Sequence, residues 1–248
     1  MSTNEPTAPA SPAMALFTRE SWWALAYLIS YLPIAVAFMA VALVSVIVSS
    51  VLSIFWLGFP LLLGAALLIR GMAEVERRRA FLVARRVESA YRPVTAPGII
   101  SQIRTRWTDP ATFRNLAYLL PLAPLLFVFD LVVAVLWVIP VAGITLPLWY
   151  WSIPITFDDG TVGHGIMIGY VTGPEHNLFD GGFGIWVGDL PTALLVMAVC
   201  FIVATITAPL MVRAARAHAA IARSLLGPAV DPLEPARRVL RSPGPLSD

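Results

Sequence analysis

The chain contains no lysine, a single cysteine and few charges of either sign, and each scarcity excludes something. One cysteine, Cys200, rules out an intrachain disulfide and most cysteine-built metal centres. It stands within an apolar run, where a thiol serves as a small packing residue. Charged residues make up 13% of the 248 positions against 58% hydrophobic ones, too apolar a balance for a soluble globule of this length. Met1 to Ala15 holds no basic residue, and the apolar run beyond it is too long for a cleavable signal. A glycine-rich nucleotide loop, a nucleophile–base pair and a metal-ligand helix are all missing. No catalytic residue, cofactor or metal is therefore expected, and the chain does not read as an enzyme.

The positive charge that is present is sorted. All 17 basic residues are arginines: one at Arg19, ten from Arg70 to Arg114 and six from Arg213 to Arg241. The two long gaps between these groups are the most hydrophobic parts of the chain. Apolar stretches bounded by arginine clusters predict membrane spans, with the clusters retained in the cytoplasm. Basic segments at a bilayer meet anionic headgroups, so the net charge of +2 calls for no nucleic acid.

Ser21 to Ile69 is 49 residues without a charge. As one helix it would reach about 74 Å, against a hydrocarbon core of about 30 Å, so it must fold as two spans. The expected spans are 22–45, 49–70, 115–139 and 191–212, with a break near Ser45 to Ser50 and a kink at Pro60. Asp109 before Pro110 predicts a capped helix start ahead of the third span. Trp22 and Trp23 mark the inner interface, and Trp149, Tyr150 and Trp151 the outer one. Residues 1–20 are expected as a disordered cytoplasmic leader and 229–248 as a disordered cytoplasmic tail. The fold expected is an all-α polytopic membrane protein with both termini cytoplasmic. Its four transmembrane helices form two tandem repeated hairpins, with cytoplasmic helical extensions and a small extracytoplasmic β-rich loop at 152–190.

The repeat rests on a shift of 91 residues, which lays Leu25-Ala26-Tyr27-Leu28 on Leu116-Ala117-Tyr118-Leu119, and Pro33 on Pro124. Eight of the 20 positions from Leu25 to Val44 are identical, which predicts a pseudo-twofold axis along the membrane normal. Each half ends in an arginine-bearing helix. Arg70, Arg77 and Arg78 lie on the first, with Glu74 at helical neighbour spacing; Arg213, Arg216 and Arg223 lie among alanines on the second, which stops at Gly227-Pro228. These six arginines are the candidate contacts to lipid headgroups or to a cytoplasmic partner. The small-residue pairs Ser45/Ser49 and Ala204/Ala208 predict close helix packing.

Candidate signal-sensing residues are few. The loop 152–190 holds five acids, two histidines, nine glycines and no arginine. Ile153 to Phe157, Asp158-Asp159-Gly160 and Thr161 to Val171 predict a β-hairpin, with a short strand at Phe183 to Val187. Alternation places Val162, His164, Ile166, Ile168 and Tyr170 on one face. His164, Glu175 and His176 are candidates for sensing protons or a cation, although no ligand spacing is present and turn acids are also simply solvated. Asp130 is the one acid within a span, 16 residues from Arg114 and thus about 24 Å along a helix, which predicts the outer leaflet. With no Lys or Arg inside the membrane to neutralise it, it faces other helices or water, as a hydrogen-bonding or a sensing group.

The tryptophan-started first span, Gly58-Phe59-Pro60, Arg70-Gly71-Met72-Ala73-Glu74-Val75-Glu76-Arg77, Asp109-Pro110-Ala111-Thr112-Phe113-Arg114-Asn115-Leu116-Ala117-Tyr118 and Leu225-Leu226-Gly227-Pro228 together resemble a known domain. It is the "putative sensor" domain of actinobacterial two-component histidine kinases, and the resemblance covers Ser21 to Pro228. In those kinases the last span leads into a phosphoacceptor segment and an ATP-binding domain. Here the chain ends at Asp248, and His218 among alanines does not look like a phosphoacceptor site. The resemblance implies a stand-alone sensory module without catalysis, detecting an outer or membrane signal and acting on a separate histidine kinase or regulator. A homodimer is left open. The competing reading is a transporter subunit or small transporter.

Overall fold

A computed structural model describes residues 18–55, 58–84, 87–89, 91–94, 97–157, 160–169 and 184–228. Among the described residues six α-helices and four short strands follow in order: α1 (Arg19–Leu52), α2 (Gly58–Ala80), α3 (Ile99–Trp107), α4 (Pro110–Ala117), α5 (Ala123–Ile144), β1 (Pro154–Thr156), β2 (Val162–His164), β3 (Ile166–Gly169), β4 (Gly184–Val187) and α6 (Leu190–Leu226). A wide π-helical turn, Tyr118–Leu122, joins α4 to α5. Among the described residues, four helical stretches are long and apolar enough to cross a membrane: Arg19–Leu52, Gly58–Ala80, Pro110–Ile144 and Leu190–Leu226.

Their surfaces invert the pattern of a soluble protein. Val44, Leu125, Val132, Leu195 and Ile202 are exposed, whereas Glu76, Asp130 and His218 are buried. Oil outside and polar groups inside is the arrangement a bilayer favours. Prolines sit where this solvent tolerates them. Pro121 lies within the π turn, where the missing N–H and the ring displace the regular ladder. Pro60 does not kink the second span as expected. It occupies the first turn of α2, where its N–H would have no partner anyway. The first helix also runs on to Leu52, so the break falls after the Ser45–Ser50 segment rather than within it.

The described chain divides into two compact units, taken separately below. The first comprises residues 1–25 and 131–214. Here β1 pairs antiparallel with β2 and β3 with β4, in two separate two-stranded sheets. The expected turn falls partly on Asp158 and Asp159, which lie outside the described residues; at its ends the Phe157 amide donates to the Thr161 carbonyl at 2.9 Å, and Gly160 takes φ 80°. The predicted long second strand is broken at Gly165, which sends Val162 and His164 into one sheet and Ile166 and Ile168 into the other. A side chain at Gly165 would strike the Val187 carbonyl and the Trp186 ring. The cap is thus built around Trp186, whose ring meets Phe157 edge-on at 4.9 Å. Leu146, Val187, Ala193 and Val196 form the apolar core beneath.

The second unit comprises residues 26–130 and 215–248. Its core includes Tyr31, Ile69, Met72, Leu119, Ala222 and Leu226. Asp109 caps α4 as expected, accepting from the Ala111 amide at 3.0 Å, and α6 stops before Gly227. The order of contacts along α2 departs from expectation. Leu62 meets Trp107, Arg70 meets Asp109 and Thr112, and Glu76 meets Tyr118, so the segment 107–118 runs in the same direction as α2. Alternating spans with Arg70 and Arg114 at one face predict opposite directions. The helix-start signal at Asp109 was legible; the path of the chain between Ala80 and Asp109 was not.

Candidate functional site

A buried polar cluster occupies the second unit, made by residues from four helical stretches and the π turn. Tyr27 and Tyr31 project from α1 one turn apart, and Glu76 and Arg79 from α2 at i, i+3 spacing. Tyr118 opens the wide turn, Asp130 lies on α5 and His218 on α6. All but Arg79 are at most 1% exposed, and Arg79 is buried. His218 gets there because Ala215, Ala219 and Ala222 flank it on the same buried face. Methyl-sized neighbours let the helix approach closely enough for an imidazole to reach across.

The hydrogen bonds form a chain. Asp130 Oδ2 lies 2.8 Å from His218 Nδ1, and His218 Nε2 lies 2.9 Å from the Tyr118 hydroxyl. That hydroxyl is 3.3 Å from Glu76 Oε2. Arg79 Nη1 donates to both Glu76 oxygens, at 2.8 and 2.6 Å. Arg79 Nη2 donates to the Tyr27 carbonyl at 2.6 Å and to Ser30 Oγ at 3.2 Å. Tyrosine rings pack around the charges: the Tyr31 ring is 4.5 Å from the His218 ring, and Arg79 lies 4.9 Å over Tyr27. Three buried atoms of the cluster, Tyr27 Oη, Tyr31 Oη and Asp130 Oδ1, have no hydrogen-bond partner among the described residues. Buried charges persist only where they are paired and hydrogen-bonded, so this cluster fixes the relative placement of the helices that supply it.

A second cluster ties down the helix ends. Arg77 donates to the Leu226 carbonyl at 3.0 Å and to the Tyr91 hydroxyl at 2.8 Å, and Asn115 Nδ2 donates to the same hydroxyl at 2.9 Å. Arg70 lies 4.3 Å over the Tyr91 ring and pairs with Asp109 at 2.9 Å. Leu226 is the last residue of α6, whose final carbonyls lack helical partners, and a guanidinium is a natural cap for them.

The residues singled out from the sequence fall into three groups. Asp130 is in the buried cluster, where a histidine faces it; the search of the sequence for a neutralising Lys or Arg passed over His218. Of the six arginines, Arg70 and Arg77 are engaged internally, whereas Arg78, Arg213, Arg216 and Arg223 are exposed. His164 is exposed on β2 opposite Pro154, and Glu175 and His176 lie outside the described residues. Among the described residues no group of His, Cys, Asp or Glu is arranged to hold a metal ion. Sequence reasoning missed Glu76, Arg79, Tyr27, Tyr31, Tyr118 and His218 as a site. One signal was available: a polar residue on an alanine face must look towards other helices.

No curated protein and no solved structure matches the chain. The family model described as "Putative sensor" matches residues 27–226, which takes in every residue of the buried cluster. The chain belongs to this sensor family.

Proposed function

We propose that the chain is a membrane-embedded sensory or regulatory module with no reaction of its own. A change at the outer cap or in the bilayer alters how the helices pack around the buried cluster, and the altered packing is read by a cytoplasmic histidine kinase or regulator. The observation that carries this reading is the Asp130–His218–Tyr118–Glu76–Arg79 chain, a charged junction of several helices closed off from solvent. Such a junction has discrete satisfied and unsatisfied arrangements, the property a switch requires. The exposed Arg78, Arg213, Arg216 and Arg223 are the surface we assign to headgroups and partner.

The tandem repeat belongs to the same reading. The 91-residue shift superimposes Tyr27 on Tyr118 and Leu28 on Leu119, and all four are buried. Arginine sorting supports cytoplasmic termini with residues 152–190 outside. Photocrosslinkers at Arg216 and Arg78 in cells should capture a kinase or regulator; capture of lipid alone would overturn the partner assignment. Single-cysteine labelling in a Cys200→Ala background should find Gly160 and Ser53 outside and Arg104 inside. Labelling of Ser53 and Gly160 from opposite faces would overturn this topology.

A second reading, a small transporter or transporter subunit, is favoured by the Asp130–His218 pair, since ionisable pairs inside membrane helices commonly line ion paths. It requires that Asp130→Asn abolish a measurable flux.

A further inference from the structure

We propose that the ligand of the buried cluster is a single proton, held along the Asp130–His218–Tyr118–Glu76 chain. The inference deepens the sensory reading and rests on the cluster being its working part.

Hydrogen counting carries it. The chain has three links, of 2.8, 2.9 and 3.3 Å, and each needs one hydrogen. Two ionised carboxylates contribute none. A neutral imidazole supplies one N–H and the Tyr118 phenol one O–H, so one link is left with two acceptors facing each other. One added proton removes the deficit wherever it sits. As imidazolium, His218 donates from Nδ1 to Asp130 and from Nε2 to the Tyr118 oxygen, and Tyr118 donates to Glu76. If the proton rests on Asp130 or on Glu76 instead, three hydrogens again serve three links.

Charge counting agrees independently. Facing His218 are Tyr27 and Tyr31 from α1, Glu76 and Arg79 from α2, Tyr118 from the wide turn and Asp130 from α5. Glu76 and Asp130 against Arg79 leave one uncompensated negative charge, and one proton brings the sum to zero. A buried net charge with an unmade hydrogen bond is strongly unfavourable, whereas the neutral, fully linked chain is not. Loss of the proton therefore loosens the contacts of α2, α5 and α6. Tyr27 Oη, Tyr31 Oη and Asp130 Oδ1, without partners among the described residues, are where entering water would first be held. Acid closes the junction and alkali opens it.

The test is a titration of the full chain in phosphatidylcholine–phosphatidylglycerol nanodiscs, with imidazole nitrogens read by 15N NMR and His218 assigned by His218→Gln. Across roughly pH 5 to 9 the Asp130–His218 pair should hold its proton at the acid end and release it in one step. The folding equilibrium should weaken by up to about tenfold per pH unit through that step, as one linked proton dictates. Asp130→Asn cancels the excess charge and should abolish the step; Glu76→Gln should do so too. A proton-poor chain at every pH, or the same pH profile in wild type and Asp130→Asn, would overturn the proposal. The wild-type spectra decide the matter even if a variant does not fold. The titration reads the chain alone, so a proton-binding cluster with no response in a partner would sink the sensory reading and leave this one intact.

Discussion

Arg77 on α2 donates a buried hydrogen bond to the carbonyl of Leu226, the last residue of α6, across 149 positions of sequence. The guanidinium also holds Tyr91, so one side chain secures both the α6 terminus and the connection that follows α2. Arg77→Ala should cost about 1.5–3 kcal/mol, the range for hydrogen bonds to a charged group, and should speed amide exchange in the last turn of α6. Arg78→Ala removes a side chain that is 79% exposed and should leave the melting temperature unchanged. Equal effects from the two variants, measured by thermal unfolding in detergent, would remove this account.

Glu76→Gln leaves Arg79 buried beside an uncharged partner. A loss of about 3–5 kcal/mol is expected, seen as poor yield and a much lower unfolding temperature. Replacing both residues, as Glu76→Leu with Arg79→Met, removes the unpaired guanidinium together with its lost partner and should recover most of the loss. If the double variant is no better than the single, the pair is not the source of the effect.

Asp109 caps α4, pairs with Arg70 and accepts from the Arg92 amide. Asp109→Asn keeps a side-chain acceptor for the cap and loses the charge, whereas Asp109→Ala loses both. Stability should fall in the order wild type, Asn, Ala, with the cap alone contributing about 1 kcal/mol. Denaturant titration with Trp107 fluorescence reads the order, because its indole donates to Leu62 beside this helix start.

Gly165→Ala places a methyl against the Val187 carbonyl and the Trp186 ring. The β3–β4 pairing should weaken while the helices remain. Limited proteolysis should nick the 150–190 region of the variant faster, with far-ultraviolet circular dichroism nearly unaltered. Loss of helix signal would show that the cap is needed for the bundle.

Local signals in this sequence were reliable and distant ones were not. Four apolar helices, the Asp109 cap, the stop at Gly227, the Phe157–Thr161 turn and the Glu74 pairs with Arg77 and Arg78 each follow from residues within a few positions of one another. Pro60 was misread because its effect depends on where α2 begins, which lies two residues away and carries no strong marker. The pairing of Asp130 with His218 joins positions 88 apart, and no local rule brings them together. Glu76 and Arg79 were hidden among arginines that read as a solvated helix face; their burial follows from what Tyr27 and Tyr118 present to them.

The wide turn at Tyr118–Leu122 has a structural corollary. A π turn accommodates one residue beyond an ordinary helical turn, so excising one leucine there should heal the ladder while flanking faces keep their phase. The same excision at Phe127 should swing everything after it by about 100° and carry the Asp130 carboxylate away from its imidazole. This short segment is therefore where the chain can best absorb a change in length.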